Sequence, residues 1–331
     1  MTTLRMAQYG TKHGHAGGKL SSMLKHPEVE VAGVYEPDAD RWAEVAGTEP
    51  YRDVRLLTKD ELLGDASIVA VASEGLNSQS LGQTEEIVAA GKHVWYDKPA
   101  GDNWAHYQRV TALVRERGVY LQMGYMFRYH HGFRQIAEWT MSGLLGDLFS
   151  VRAHMSTNLN TAQREVISEH EGGIFFDLAG HMLDQVVYLL GRPTRVTAFL
   201  HNHSGSVPAF KDNTLGVFEF ARALAFVDIA ALEPRPMARR FEVYGSKGSA
   251  IIVEPFEPAH HLRLCLEEAA GGYDKGVTML EVPHQTRQEM YELELAAFVR
   301  VLKGEQPPDR TAEHEMLVQE TLLRATGGIP A

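Results

Sequence analysis

Residues 4–18 read LRMAQYGTKHGHAGG, in which an apolar run ends at a loop with four glycines. A short strand, a glycine and the start of a helix, in that order, are typical of the first unit of a doubly wound nucleotide-binding fold. Glycine is needed at this turn because backbone N–H groups at the helix N-terminus must approach a pyrophosphate closely. The stretch therefore predicts a dinucleotide site near the start of the chain.

The strict Gly-x-Gly-x-x-Gly spacing is absent from this loop. If Gly10 is the first glycine of that pattern, Lys12 and His15 occupy the other two glycine positions. A glycine-rich turn without a ligand is therefore the alternative for the loop taken alone. The residues that we expect to contact the cofactor here are Gly10, Lys12, His13, Gly14 and His15.

The rest of the N-terminal part alternates short apolar segments with amphipathic ones, which predicts a parallel sheet with right-handed crossovers. The predicted strands are Leu4–Tyr9, Val29–Tyr35, Ile68–Ala72, His93–Tyr96 and Tyr120–Met123. The predicted helices are at about Gly18–Lys25, Asp38–Ala46, Ser80–Ala90 and Trp104–Arg117. Thr58 with Glu61 has the pattern of a capping box and indicates one more short helix, and Asp102 or Asn103 can cap the helix at Trp104.

After Gly124 the pattern changes to strands that follow one another without helices between them, which favours an antiparallel or mixed open sheet. The predicted strands are Leu148–Met155, Arg195–His201, Thr214–Phe220, Leu224–Ala231, Arg239–Tyr244, Ser249–Val253 and Leu262–Glu267. The predicted helices are His131–Met141, Ile174–Leu190, Thr286–Leu302 and Thr311–Ala325.

The predicted fold class is therefore α/β, with an N-terminal Rossmann sheet and a C-terminal α+β domain that has a large open, mostly antiparallel sheet. We place the dinucleotide-binding domain at residues 1–124 and a substrate-binding and oligomerisation domain at residues 125–285. The C-terminal helices, residues 286–331, are expected to pack back on the first domain. A length of 331 residues agrees with two domains, because one hydrophobic core rarely grows that large.

Charge and composition narrow the classes of function. A net charge of −11 argues against nucleic-acid binding, and no apolar run is long enough to cross a membrane. The N-terminus lacks a secretion signal and the one cysteine, Cys265, excludes an intramolecular disulfide, so we expect a cytoplasmic protein. None of the sixteen histidines lies in a His-Glu-x-x-His or Cys-x-x-Cys pattern, so no metal site is predicted.

Glu36 ends the second predicted strand, where a carboxylate can accept hydrogen bonds from the ribose hydroxyls of a dinucleotide. The same carboxylate repels a 2′-phosphate, so the sequence favours NAD over NADP. Lys12, His13 and Arg41 lie close in sequence to these elements and keep NADP possible. The alternative for Glu36 is an exposed turn carboxylate before Pro37.

Residues 90–99 read AGKHVWYDKP and place a lysine and a proline directly after a strand. Pro99 favours an extended Lys98 at the carboxyl end of that strand, which is where ligands bind in doubly wound sheets. A lysine there can hydrogen-bond a substrate oxygen and oppose negative charge that develops on it. Lys98 is therefore a candidate for both cofactor and substrate contact.

Residues 172–184 read GGIFFDLAGHMLD, and on a helix Asp177 and His181 share one face. Asp184 and Tyr188 continue the same stripe, and the rest of the helix is apolar. The alternative is an amphipathic helix whose polar stripe lies in solvent. Solvated stripes more often carry lysine, arginine and glutamate, so the stripe favours a site.

Together these two stretches resemble the glucose–fructose oxidoreductase, inositol dehydrogenase and MocA family (Gfo/Idh/MocA) over nearly the whole chain. That family has a Glu-Lys-Pro motif, here Asp97-Lys98-Pro99, and a glycine-led helix with Asp and then His four residues later. The resemblance implies that Lys98, Asp177 and His181 are the catalytic residues. It also places Asn77 in the family's cofactor turn and Arg128 in a substrate-side segment.

This chain departs from the family pattern at several positions. Gly75 and Leu76 replace a Thr-Pro pair, Ser80 stands where a histidine is usual, and the first glycine loop is irregular. The substrate contacts that we expect beside Asp177 and His181 are Tyr125, Arg128, Arg164 and Tyr188, each with a packing or surface role as its alternative.

The resemblance implies an NAD(P)-dependent dehydrogenase that acts on a carbinol of a sugar, polyol or inositol-like substrate. Two alternatives are an NAD-dependent glycoside hydrolase that oxidises its sugar transiently, and a dinucleotide-binding regulator without catalysis. Similar proteins commonly pair through the open sheet of the second domain, so a homo-oligomer, a dimer or tetramer, is expected.

Overall fold

The structure is a computed structural model that describes residues 3–330. Met1, Thr2 and Ala331 lie outside the described residues, and so do the expectations that concern the very ends of the chain.

Thirteen strands and ten α-helices are present in the described part of the chain. The strands are β1 (Leu4–Tyr9), β2 (Val29–Tyr35), β3 (Ala70–Ser73), β4 (His93–Tyr96), β5 (Leu121–Met123), β6 (Leu148–His154), β7 (Arg195–His201), β8 (Asn213–Glu219), β9 (Leu224–Ala230), β10 (Arg240–Gly245), β11 (Gly248–Ile252), β12 (His261–Leu266) and β13 (Gly276–Glu281). The helices are α1 (Ala16–Lys25), α2 (Ala39–Val45), α3 (Lys59–Gly64), α4 (Asn77–Ala89), α5 (Trp104–Arg117), α6 (His131–Met141), α7 (Thr161–Ile167), α8 (Ile174–Leu190), α9 (Arg287–Leu302) and α10 (Ala312–Thr326). A 3-10 helix spans Met126–Tyr129.

The chain divides into two compact units. The first contains the chain up to Met126 together with Arg287–Ala312, and the second contains Phe127–Thr286 with the chain from Glu313 onward. Helix α9 thus belongs to the first unit and nearly all of α10 to the second.

The first unit is built on a five-stranded sheet in the order β2-β1-β3-β4-β5, in which every neighbouring pair is parallel. Helices join successive strands, as parallel pairing requires. Several predicted bounds match residue for residue, including those of β1, β2, β4 and α5, and others differ by a few residues. The doubly wound fold predicted from the strand–helix alternation is confirmed.

Helix α9 packs on this sheet through the first unit's main hydrophobic core. Leu295, Phe298 and Val299 are buried there with Leu20 and Met23 of α1. Each such side chain contributes about 1.5–3 kcal/mol when it leaves water, so a helix far away in sequence is held firmly to the N-terminal part.

The second unit contains an eight-stranded sheet in the order β13-β12-β11-β10-β6-β9-β8-β7. All its pairs are antiparallel except β6 with β9, which confirms a large, mostly antiparallel sheet. Helix α8 packs on β8 and β9. On the polar stripe of α8, His181 and Asp184 are buried and Asp177 and Tyr188 are partly exposed, so the stripe as a whole does not lie in solvent.

The structure contains a strand and a helix that the sequence analysis did not predict. Strand β13 has no buried residue, because it pairs along the edge of the sheet through its backbone and leaves Val277 and Met279 exposed. Helix α7 also buries nothing and begins at a capping box of Asn160 and Gln163. Hydrophobic periodicity cannot find elements without a buried face, although the capping box was a usable signal.

Candidate functional site

The turn after β1 is built by glycine. Gly10 has φ +86°, and a Cβ there would lie 2.8 Å from the backbone nitrogen of Gly75, the residue that follows Glu74 beyond β3. Two loops at the carboxyl edge of the sheet therefore approach each other so closely that only glycine fits. A Cβ on Gly14, by contrast, would meet nothing within 4 Å, so space is open beside the start of α1. A narrow glycine turn with open space at a helix N-terminus fits a dinucleotide pyrophosphate.

Beside this turn lies a group of titratable residues, buried or partly buried, that we call the loop cluster: His13, His15, Lys19, Glu74 and Asp97. The Lys19 Nζ lies 3.1 Å from Glu74 Oε1 and 3.2 Å from Asp97 Oδ2. Both imidazoles reach the same carboxylate, with the Nδ1 atoms of His13 and His15 at 3.1 Å and 3.0 Å from Asp97 Oδ2. The cluster joins the ends of β3 and β4 to the loop before α1.

Burial and charge set the protonation of the loop cluster. Burial would raise the pKa of Asp97, but His13, His15 and Lys19 outweigh it and hold that pKa well below 3.8. Burial raises the pKa of Glu74 well above 4.5, only partly offset by Lys19. Burial also lowers the pKa of His15 to about 4, against the pull of Asp97. At neutral pH the cluster therefore holds an ionised Asp97 and an uncharged His15, and burial makes Glu74 a weaker acid than an ordinary glutamate.

Lys98 follows Asp97 directly and is only 3% exposed. Its backbone N–H donates to Asp97 Oδ1 at 2.7 Å, so the loop cluster also fixes the backbone of Lys98. Asn77 is the first residue of α4, and its carbonyl accepts from the Ser80 hydroxyl at 3.0 Å. That serine in turn lies 2.9 Å from the hydroxyl of Tyr96.

Glu36 occupies the end of β2 and is 7% exposed. Its Oε2 accepts from the Thr11 hydroxyl at 2.8 Å, and its Oε1 accepts from the Asp38 N–H at 3.1 Å. The Arg41 Nε donates to the same Thr11 hydroxyl at 3.2 Å, and Lys12 pairs with Asp38 at 2.5 Å. The structure thus gathers Lys12, Glu36 and Arg41 at one end of the glycine turn and His13, His15 and Lys98 at the other.

In the second unit, two glycines allow α8 to begin where it does. A Cβ on Gly172 (φ +90°) would lie 2.4 Å from Thr326 Cγ2, and one on Gly173 (φ +53°) 2.5 Å from the backbone nitrogen of Lys211. Both positions need glycine for φ and for space. Asp177 lies in the first turn of the helix and is partly exposed, whereas His181 is 2% exposed with its ring 5.1 Å from that of Phe127.

Further along α8, Asp184 belongs to a buried ion-pair group that we call the arginine clamp: Arg128, Asp184, His314 and Glu315. The guanidinium donates from Nε and Nη2 to Asp184 and from Nη1 and Nη2 to Glu315, at 2.6–3.1 Å. The His314 Nε2 lies 2.8 Å from Asp184 Oδ1. Because this guanidinium is engaged on both sides, the clamp ties the 3-10 helix and α10 to α8.

The other predicted substrate contacts lie in different surroundings. Tyr125 is 1% exposed, and the ring of Tyr188 lies 6.1 Å from that of His314, beside the arginine clamp. Arg164 lies apart from them on α7, where its guanidinium donates to the carbonyl of Leu159 and to the hydroxyl of Ser206. The substrate role of these residues and of Arg128 stays a prediction.

The sequence analysis missed two of the five residues of the loop cluster, Lys19 and Glu74. Lys19 and Glu74 are both fully buried, yet a lysine on a short helix and a glutamate after a strand read as surface residues. The available signal was position: Glu74 and Asp97 each follow a parallel strand directly, so both must lie at the same edge of the sheet.

Two groups in the described chain have donor atoms close enough to hold a metal ion: His13, His15 and Asp97, and Asp184, His314 and Glu315. A buried cation already lies against the carboxylates of each group. Lys19 contacts Asp97, and Arg128 contacts both Asp184 and Glu315. Neither group therefore presents carboxylates that are free for a metal.

A doubly wound sheet with a glycine turn after its first strand defines a dinucleotide-binding class of protein. Residues 7–125 match the profile described as an oxidoreductase family with an NAD-binding Rossmann fold, and residues 133–251 match the GFO/IDH/MocA C-terminal domain. The chain belongs to the Gfo/Idh/MocA oxidoreductase family, as the motifs around Lys98 and His181 predicted.

Known relatives are distant in sequence. The chain is 25% identical over 288 residues to a 1,5-anhydro-D-fructose reductase from Ensifer adhaerens, covering 86% of this chain and 84% of the relative. It is 24% identical over 262 residues to a myo-inositol 2-dehydrogenase from Thermotoga maritima, covering 76% and 75%. A solved structure of GenD2 from gentamicin A biosynthesis, in complex with NAD, has a TM-score of 0.81 at 23% identity and covers 99% of this chain and 94% of that one.

None of the helices within residues 3–330 is both long enough and apolar enough to span a membrane.

Proposed function

We propose that this protein is an NAD-dependent dehydrogenase that oxidises, or in reverse forms, a secondary alcohol of a sugar, polyol or inositol-like substrate. The observation that carries the proposal is the pair on α8. Asp177 and His181 lie one turn apart on a helix that two glycines position, and His181 is buried among apolar side chains. Reductases and dehydrogenases of such substrates among the relatives support the substrate class.

The proposed roles follow from ordinary side-chain chemistry. His181 accepts the hydroxyl proton of the substrate, since an imidazole exchanges protons readily near neutral pH. Lys98 donates a hydrogen bond to the same oxygen and offsets its negative charge. Asp177 orients either Lys98 or His181 and offsets their charge. The nicotinamide ring, when bound, accepts the hydride from the carbon that carries this oxygen.

Among the other expected contacts, the geometry favours a positioning role for Arg128, because its guanidinium is engaged by two carboxylates. Tyr125 and Tyr188 remain candidates for substrate contact. For the dinucleotide we propose Gly10, Lys12, His13, Gly14, His15, Asn77 and Lys98 at the pyrophosphate and nicotinamide side, and Glu36 at the adenosine ribose.

We propose NAD over NADP because Glu36 places a carboxylate at the end of β2, where a 2′-phosphate would meet it. Both Glu36 oxygens accept protein hydrogen bonds, which holds the carboxylate in one orientation. Lys12 already pairs with Asp38, so its charge is partly compensated.

The test is a panel of sugars, polyols and inositols assayed with NAD and with NADP while the reduced cofactor is monitored. Turnover of at least one such alcohol with net formation of NADH supports the proposal. Cleavage of a glycoside with bound cofactor and no net NADH would instead indicate the redox-neutral hydrolase. Dinucleotide binding without either reaction across the panel would indicate a regulator.

We further propose a cytoplasmic homo-oligomer, a dimer or tetramer that pairs through the open sheet of the second unit. Light scattering of the purified protein measures the mass of the assembly directly, and a monomer at micromolar concentration would contradict this expectation.

A further inference from the structure

We propose that the dinucleotide binds to this chain with uptake of a proton at His13, which releases the backbone N–H of His15 for the pyrophosphate. The proposal rests on the proposed use of a dinucleotide at the glycine turn. It goes further by giving one side chain of that turn a proton-dependent role.

The first observation is a hydrogen bond that occupies the helix N-terminus. The His15 N–H donates to the Nδ1 of His13 at 3.2 Å, and His15 is the N-cap residue of α1. Backbone N–H groups at this position are the ones that a pyrophosphate uses at a helix N-terminus. In the described structure the His13 ring therefore occupies a donor that the ligand needs.

The second observation is a competing partner for the same ring nitrogen. The Nδ1 of His13 also lies 3.1 Å from Asp97 Oδ2 and 3.6 Å from Glu74 Oε2. A nitrogen that accepts from an N–H has its lone pair engaged and cannot at the same time donate to a carboxylate. Protonation of Nδ1 reverses this choice, because the imidazolium donates to Asp97 and the His15 N–H becomes free.

The charges around His13 favour the protonated ring once a diphosphate is present. Asp97 and Glu74 face it from the ends of β4 and β3, His15 and Lys19 from α1 and the turn before it, and Lys98 follows Asp97. Tyr291 and the buried Glu294 face the cluster from α9. A diphosphate brings two further negative charges beside the ionised Asp97, and an imidazolium on His13 reduces that repulsion.

His15 cannot easily take over this role. Burial lowers the pKa of His15 to about 4, with Lys98 and His13 acting in the same direction, and the ring already lies at 3.0–3.1 Å from Asp97. The positive end of the α1 helix dipole also disfavours a charge on the N-cap residue. Near neutral pH the proton is therefore expected on His13.

The sign of the pH dependence follows from linkage. A ligand that raises the affinity of a site for protons is itself bound more tightly when protons are abundant. The dissociation constant for NAD should therefore rise with pH over the range in which binding takes up this proton. Uptake of one-half to one proton corresponds to a rise of roughly three- to tenfold per pH unit in this window.

Isothermal titration calorimetry of the full chain with NAD, after treatment with a chelator, measures this directly. Titrations at one pH in two buffers of different ionisation enthalpy give the number of protons taken up, and a series from about pH 6 to about pH 8 gives the dissociation constants, a range in which an ordinary histidine titrates. We expect proton uptake and weakening of binding with increasing pH.

His13→Asn is the decisive variant, because the asparagine Oδ1 can accept from the His15 N–H as Nδ1 does but cannot be protonated. It should bind NAD more weakly at the low end of the pH range, with no proton uptake and a flat pH profile. His106→Gln, on α5 and paired with Glu85, is the matched control and should behave like the parent. Circular dichroism confirms that each variant is folded.

Two results separate the possible failures. Binding of NAD with no proton uptake in the parent, or with uptake that persists in His13→Asn, overturns the role of His13 and leaves the dinucleotide site standing. Failure of the parent to bind either NAD or NADP at every pH removes the proposed dinucleotide use itself, and the inference with it.

Discussion

The loop cluster of the first unit and the arginine clamp of the second contain similar ingredients but differ in how well they are satisfied. Each buries a cation between two carboxylates and adds histidine. In the clamp, the planar guanidinium of Arg128 bonds Asp184 and Glu315 through several N–H groups. In the loop cluster, Lys19 makes one point contact with each of two carboxylates, 3.1 Å and 3.2 Å away.

The difference shows what each group is suited to do. A forked, bidentate pair is geometrically fixed and desolvated, so it suits the joining of helices. A point charge shared between two acids only partly offsets the burial of Glu74, whose pKa is raised, and leaves the imidazoles to complete the pairing of Asp97. Such a group is suited to change its protonation when a charged ligand arrives, whereas the guanidinium at the centre of the clamp keeps its charge.

The largest expected effect is a loss of turnover without a loss of dinucleotide binding. It tests the reaction proposed for the second unit independently of the binding site in the first. His181→Ala should reduce kcat by about 10²–10⁴-fold, the usual contribution of a general base, because the substrate proton loses its acceptor. Dinucleotide binding, measured by calorimetry, should be unchanged, and His201→Ala on the exposed end of β7 serves as the control. Full turnover in His181→Ala would remove this residue from the reaction.

The next prediction compares the two buried cations. Arg128→Met should lower the free energy of unfolding by about 3–5 kcal/mol, because two buried carboxylates lose their partner. Lys19→Met should cost less, about 1–3 kcal/mol, because the raised pKa of Glu74 lets this acid take up a proton and the imidazoles still face Asp97. Urea unfolding of both variants measures the difference. Equal losses would mean that the two clusters are equivalent after all.

The same acid-to-amide change should act differently in the two clusters. Glu315→Gln should destabilise the fold by about 1–3 kcal/mol, since a charge-assisted pair with Arg128 is lost. Glu74→Gln should lie within about 1 kcal/mol of the parent at neutral pH and on the stabilising side, because burial disfavours the charge of Glu74 and the amide carries none.

The pH dependence of the free energy of unfolding gives a further test of Glu74→Gln. The pKa of Glu74 is raised in the folded protein, so the native state holds a proton that the unfolded chain releases above its ordinary pKa of about 4.3. Glu74 therefore reduces stability progressively as the pH rises above that value. Glu74→Gln should flatten the stability profile there, and an unchanged profile would show that Glu74 is ionised in the folded state.

The smallest expected effect concerns the cofactor. Glu36→Gln removes the negative charge at the proposed adenosine ribose site and can retain its hydrogen bond with Thr11. The ratio of the affinity for NADP to the affinity for NAD should therefore rise by roughly three- to tenfold. Glu30→Gln, at the exposed side of β2 and paired with Arg5, is the control. A ratio that stays constant in Glu36→Gln would mean that Glu36 does not select the dinucleotide.

Local patterns were sufficient for most of the fold. Strand β1, helix α8 and the capping box of Thr58 and Glu61 agree with their predictions because hydrophobic period and cap chemistry act within a few residues. Strand β13 was missed because its partner β12, and not a buried face, makes it a strand. The candidate catalytic residues were named from motifs, which identify residue types in order along the chain.

The sequence by itself determined the class of fold, the glycine turn and the choice of Lys98, Asp177 and His181 as candidate catalytic residues, because hydrophobic period, caps and short motifs are local properties. Only the tertiary structure decided which charges share a buried space. Lys19, Glu74 and Asp97 come from three elements that are far apart in the chain, and their protonation depends on burial and on distances of about 3 Å. Electrostatic energy varies with separation in space, and the strand pattern shows only that Glu74 and Asp97 lie at the same edge of the sheet, not how far apart their side chains are.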